Sequence, residues 1–151
     1  MFGSLIMNKE SKYAAVAKSL WVNNAYISKK IENSLGSIHG IGLTEYMVLH
    51  NLITAPNKVL RRIDLANSVG RTASGVTRML LPMEKLGLIN KELSPRDARA
   101  SLVKITPAGE QIFKDSSLTL NQKSEQLLDR IDSDQIDTFL HLLNLIQGGG
   151  R

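Results

Sequence analysis

The residues of this chain best suited to chemistry are short hydroxyls and arginines. Thr72, Ser74, Thr77 and Arg78 fall within seven positions around Gly75, and Arg96, Asp97 and Arg99 open the run RDARASLVKITPAG at positions 96 to 109. Their chemistry is recognition rather than bond making. Arginine carries a planar fork of donors that matches phosphate or the O6 and N7 edge of guanine, and short hydroxyls suit phosphate oxygens or base edges. Asp97, two residues before Arg99, would orient its guanidinium by a charge-assisted pair, and Arg96 would add a phosphate contact.

Charge segregates with these residues. Between Pro56 and Ile105 there are ten Lys or Arg against four acids, a net of +6, whereas the whole chain is +5, so the remainder nets −1. A basic excess confined to one segment is what a phosphate-binding face requires, because each neutralised phosphate releases condensed counterions. Charge alone would equally suit RNA or an anionic membrane surface. Aromatics are only 5% of the chain, which leaves little material for a single-strand stacking platform.

Other chemistries lack their residues. The chain has no cysteine, so disulfides, thiolate zinc sites and cysteine-based peroxide sensing are excluded. The three histidines, His39, His50 and His141, form no HxxxH or HExxH spacing, so a metal site would need assembly from scattered residues, and no cofactor is expected. There is no glycine-rich phosphate loop and no nucleophile near a histidine and an acid at a recognisable spacing, so no enzyme is expected. The longest apolar runs fall far short of the roughly 20 residues of a membrane span, and MFGSLIM lacks the features of a signal peptide, which makes the cytoplasm the expected location.

The elements that must position the candidate residues follow from periodicity and caps. Apolar residues from Lys12 to Leu35 recur three or four apart and predict a long amphipathic helix, broken by Ser34, Gly36, Ser37 and Gly40. Thr44 is the expected N-cap of a second helix that stops before Pro56. A third, short helix runs from about Arg62 to Val69 and ends at Gly70. Thr72 caps a fourth, which carries Val76, Met79, Leu80 and Met83 inward and ends at Gly87. Leu88 to Leu93 and Ser101 to Ile105 predict a hairpin with Pro95 at its turn. Thr106 and Pro107 start a long helix, and Asp132 with Gln135 forms a capping box for the last.

This order predicts a mainly α fold with a small β-hairpin wing: a winged helix-turn-helix lobe at 43–106, and a helical dimerisation lobe built from 10–36 and 107–147. Ala66 permits close helix crossing, Gly70 the sharp turn, and Val76 the return packing. The coincidence of this unit with the basic excess favours duplex DNA. The terminal helices are too long and apolar for the small lobe to cover, so pairing with a second copy is expected.

LANSVGRTASGVTRMLLPMEKLGLI, positions 65 to 89, together with D97-A-R99 and LVKITPAG, resembles the MarR family of bacterial transcription regulators over nearly the whole chain. The resemblance implies a homodimeric repressor on a pseudo-palindromic operator, with Arg99 at the wing tip reaching the minor groove. It also implies a small, often aromatic or phenolic, effector, for which Trp21, Tyr26, His39, Tyr46 and His50 are the pocket candidates. Three positions depart from the family pattern. Ala98 replaces a frequent second basic residue, Arg61 replaces a capping Ser or Thr but adds charge facing the DNA backbone, where Arg62 is also expected as a contact, and Pro82 lies inside the recognition helix, where a bend is expected. The rival reading is a winged-helix module that docks a protein and has lost DNA reading.

Overall fold

The computed structural model describes residues 9–96 and 101–148. Helix α1 (Lys12–His39) starts at Ser11, whose hydroxyl accepts from Ala14 N at 3.0 Å, and ends at Gly40 in the left-handed conformation (φ 70°). It thus runs through Ser34, Gly36 and Ser37, where a break was expected. A single internal glycine costs only about 1 kcal/mol relative to alanine. Burial of Ile31 and Leu35 on the same stretch outweighs that cost.

Helix α2 (Leu43–Thr54) begins one residue earlier than its expected cap. Thr44 lies inside the first turn, and the N-cap is Gly42, which has no side chain to offer. Glu32 of α1 takes over the task by accepting from Leu43 N at 3.1 Å. A residue eleven positions away cannot be read as a cap from local sequence.

After a 3-10 turn at Pro56–Lys58 come strand β1 (Val59–Arg61), α3 (Arg62–Ser68), α4 (Ala73–Lys85), β2 (Ile89–Leu93), β3 (Ser101–Ile105), α5 (Pro107–Leu127) and α6 (Ser133–Ile146). The sheet order is β1-β3-β2, antiparallel throughout, with Leu60 and Lys91 both paired to Val103. The expected hairpin is β2 and β3; β1 is an addition, too short for any alternation to announce it. Helix α4 continues through Pro82 without interruption to Lys85.

One apolar cluster holds these pieces. Val48, Leu49 and Leu52 of α2 meet Leu65 and Ala66 of α3, Val76, Leu80 and Met83 of α4, and Ile89, Val103 and Ile105 of the sheet, with Ile31 and Leu35 of α1 joined to them. Each fully buried leucine contributes roughly 1.5–3 kcal/mol relative to exposure.

The junction between the winged lobe and α5 is tight. Thr106 Oγ1 accepts from Gly109 N at 3.0 Å and donates to the Gly87 carbonyl, while Thr106 N donates to the Leu88 carbonyl at 3.1 Å. A Cβ on Gly109 would lie 2.1 Å from that Leu88 oxygen. The glycine of the TPAG segment is therefore a close-approach residue that seats α5 on the turn after α4.

Candidate nucleic-acid interface

Helices α3 and α4 form the helix-turn-helix. Ala66 is 1% exposed at their crossing, and its carbonyl accepts from Arg71 N at 3.0 Å across the turn. Gly70 takes φ 67°, the positive angle that the turn demands. Thr72 acts as the N-cap of α4, its hydroxyl accepting from Gly75 N at 3.1 Å, and lies 3.3 Å from the Ser74 hydroxyl. Capping leaves the outer side of this pair accessible, and both residues are exposed.

Val76 and Leu80 face the core, which turns Arg78 outward; Gly75 and Thr77 are half-buried. The first turns of α4 thus present hydroxyls and a cation side by side. Among the described residues Arg62, Arg71 and Arg78 have no carboxylate within ion-pair distance. Cations left without acids on one lobe create the positive potential that attracts a polyanion.

The two neighbouring arginines at the start of α3 behave differently. Arg61 donates to both Asp64 oxygens, at 2.7 and 3.0 Å. These hydrogen bonds, with the attraction between the charges, hold the Asp64 carboxyl below its ordinary range and raise the Arg61 guanidinium. Its charge, expected to face the DNA backbone, is therefore shared with Asp64. Arg62 instead donates to Thr77 Oγ1 at 3.0 Å.

In the wing, Lys91 of β2 reaches Glu84 of α4 at 3.6 Å and ties the hairpin to the end of the recognition helix. Arg96 is exposed, and its backbone N–H donates to Ser94 Oγ at 3.3 Å. Asp97, Ala98 and Arg99 lie outside the described residues.

The same stretch that carries this geometry, residues 41–101, matches the sequence profile of the MarR family. That segment of the chain is similar to the MarR family. The HTH-type transcriptional regulator PapX of Escherichia coli is 26% identical over 116 residues, covering 75% of this chain and 71% of PapX. The same fold occurs in the transcriptional regulator BldR of Sulfolobus solfataricus, with a TM-score of 0.84, 21% identity and coverage of 94% and 99% of the two chains. Sco3205 of Streptomyces coelicolor, a MarR family transcriptional regulator solved in complex with DNA, aligns with a TM-score of 0.79 at 19% identity over 94% of this chain and 92% of its own.

The five aromatic and histidine candidates for an effector pocket do not form one group. Trp21 and Tyr26 are 77% and 55% exposed, on the first half and at the middle of α1. Trp21 precedes His39 by eighteen residues on the same helix, about 27 Å along the axis at 1.5 Å per residue. The other three lie where α1 and α2 meet α5. His39 Nε2 is 2.7 Å from Thr119 Oγ1, Tyr46 Oη is 2.8 Å from Ser117 Oγ, and the rings of Tyr46 and His50 lie 5.1 and 5.9 Å from that of Phe113. Among the described residues no three His, Asp or Glu are grouped to hold a metal ion.

Four residues of these sites were not singled out from sequence. Arg71 is exposed immediately before the Thr72 cap, and its position next to an N-cap was a usable signal. Phe113, Ser117 and Thr119 lie 63 to 80 residues from their partners Tyr46, His50 and His39, and no local pattern marks them.

Proposed function

We propose that this chain is a MarR-family transcriptional regulator, a homodimeric repressor that reads duplex DNA at a pseudo-palindromic operator. The observation that carries the reading is the outward face of α4, where Thr72, Ser74 and Arg78 stand beside cations with no acid partner among the described residues. In mechanism the first turns of α4 enter the major groove, Arg78 meets a base edge or phosphate, and the wing takes Arg96 and Arg99 to the flanking backbone and minor groove, with Asp97 orienting Arg99. The division into a DNA-reading lobe at 43–106 and a dimerisation lobe at 10–36 and 107–147 belongs to the same reading. Exposed apolar residues on both terminal helices, Trp21, Val22, Leu142 and Leu145 among them, support a second copy as the missing cover.

Release from DNA by a small aromatic or phenolic effector is part of the proposal. Such a ligand works only by binding the lobe spacing that does not fit DNA more tightly than the one that does. The Tyr46, His50 and Phe113 cluster, with His39 beside it, is the position from which α2 could be moved.

The test is binding to duplex from upstream of the chain's own gene and to mixed-sequence duplex across a salt series. Sequence preference with a steep salt slope is expected. Arg78→Ala and Arg99→Ala should each weaken binding by about 1–3 kcal/mol without a matching loss of melting temperature. Absence of binding to either duplex at low salt would replace this reading with a protein-docking module.

A further inference from the structure

Arg62 and Thr77 were both expected at the DNA as independent contacts, and the geometry between them points elsewhere. Thr77 has one hydroxyl proton, which it donates to the Ala73 carbonyl at 3.0 Å. One of its lone pairs accepts from Arg62 Nη1, also at 3.0 Å, across fifteen positions of sequence. The hydroxyl therefore has no proton left for a base edge. Arg61, next to Arg62, is paired with Asp64, and among the described residues it is Arg62 whose side chain bridges the start of α3 to the second turn of α4.

We propose that Arg62 is a positioning residue that fixes the rotation of the recognition helix through Thr77, and that Thr77 serves this clamp rather than reading a base. The proposal rests on the DNA-reading function above. Two other points already join the helices: the Arg71 N to Ala66 O bond at the turn, and the buried contact of Val76 and Leu80 with Leu65 and Ala66. The turn anchors one end of α4, and burial of Val76 and Leu80 sets which face points outward, but apolar contact is non-directional and restrains a rotation of a few degrees only softly. A directional hydrogen bond one turn further along restrains that fine rotation. The need is real because side-chain tips lie about 5–6 Å from the axis, so a rotation of 10° moves them by about 1 Å. That shift takes a 2.9 Å contact outside hydrogen-bond range.

The proposal separates two properties that a phosphate contact would change together. Loss of the clamp should lower discrimination between sequences, while the salt slope follows only the number of cations at the phosphates. Thr77→Val keeps the branched shape and the charge count and removes the acceptor. Arg62→Gln removes the cation and shortens the reach, and Arg62→Lys retains a donor.

The experiment is a double-variant cycle on the full chain, using the duplex that the wild type enriches from a randomised pool and a mixed-sequence duplex as reference. Thr77→Val and Arg62→Gln are each expected to lower the ratio of the two affinities by on the order of tenfold, as loss of a charge-assisted hydrogen bond does. The pair together should lose no more than Arg62→Gln alone, Thr77→Val should leave the salt slope unchanged, and Arg62→Lys should recover part of the ratio. Losses that add would show two independent contacts and overturn the clamp, as would a Thr77→Val variant that discriminates like the wild type. The same cycle read by urea unfolding without DNA tests the bond itself, and absence of coupling there overturns it as well. Coupling in unfolding with a wild type that enriches no duplex would instead remove the DNA reading.

Discussion

The winged lobe and the two ends of the chain are both built from amphipathic helices, with opposite fates. On α4 the inward residues Val76, Leu80 and Met83 are buried within the chain, whereas on α6 Phe139, Leu140, Leu142 and Leu145 remain exposed, as do Trp21 and Val22 on α1. Both sets show helical periodicity. An amphipathic pattern states that a face must be covered, and the fold decides whether the cover comes from the same chain. The lobe supplies its own cover because α2, α3, α4 and the three-stranded sheet close around one cluster. Among the described residues the terminal helices join that cluster at Ile27, Ile31, Leu35 and the inner face of α5, and much of their remaining apolar surface stays exposed in the single chain.

The junction at Gly109 is where this contrast can be broken most forcefully. Gly109→Ala places a methyl carbon 2.1 Å from the Leu88 carbonyl oxygen, a backbone atom that cannot swing aside. A loss of about 3 kcal/mol or more is expected, the upper end of overpacking costs. Urea unfolding measures it, and an unchanged midpoint would mean that α5 can lift off the lobe without consequence.

A smaller effect on stability, but a decisive one for assembly, is expected from Leu145→Asp. The leucine is 58% exposed in the single chain, so the folded lobe should tolerate the change. A charge buried in an interface costs several kcal/mol, and a dimer should weaken by on the order of a hundredfold or more. Sedimentation and circular dichroism together check this. A dimer that persists at unchanged affinity would place the interface elsewhere.

The smallest effect belongs to Asp64→Asn, whose side chain is partly exposed on the outer side of the lobe. Arg61 lowers the Asp64 carboxyl in the folded state, so the pair stabilises above the unfolded value of about 3.9 and loses that contribution as pH falls through the lower folded value. The variant should be slightly less stable than the wild type near neutrality and converge with it in acid, which makes its acid limb shallower. Release of Arg61 should also steepen the salt dependence of DNA binding by up to about one unit. An unchanged slope would take Arg61 out of the phosphate face.

Much of the fold was legible because its signals are short. The Thr72 cap bonds Gly75, the Thr106 cap bonds Gly109, and Asp132 exchanges bonds with Gln135, each three residues away. The turn glycines at 70 and 87 were legible for the same reason, since a positive φ is a property of one residue. Misreadings arose where a distant partner intervened. Gly36 did not end α1 because Leu35 is buried against other elements, and Thr44 did not cap α2 because Glu32 of another helix reached Leu43 first.

The candidate site divides in the same way. Which residues could meet DNA was visible in the charge excess between Pro56 and Ile105 and in the hydroxyls that follow Gly70. Which of them are free to do so was not. Arg61 and Arg62 are identical and adjacent in sequence, yet one is held by Asp64 three residues on and the other by Thr77 fifteen residues on. The sequence by itself determined the kinds of elements, their caps and the charge of the lobe, because those depend on backbone preferences and neighbours within about one helical turn. Only the tertiary structure decided which faces are covered, which cations keep their charge unpaired and which hydroxyls are already spent, because each of those outcomes requires two distant segments to arrive within about 3 Å of one another.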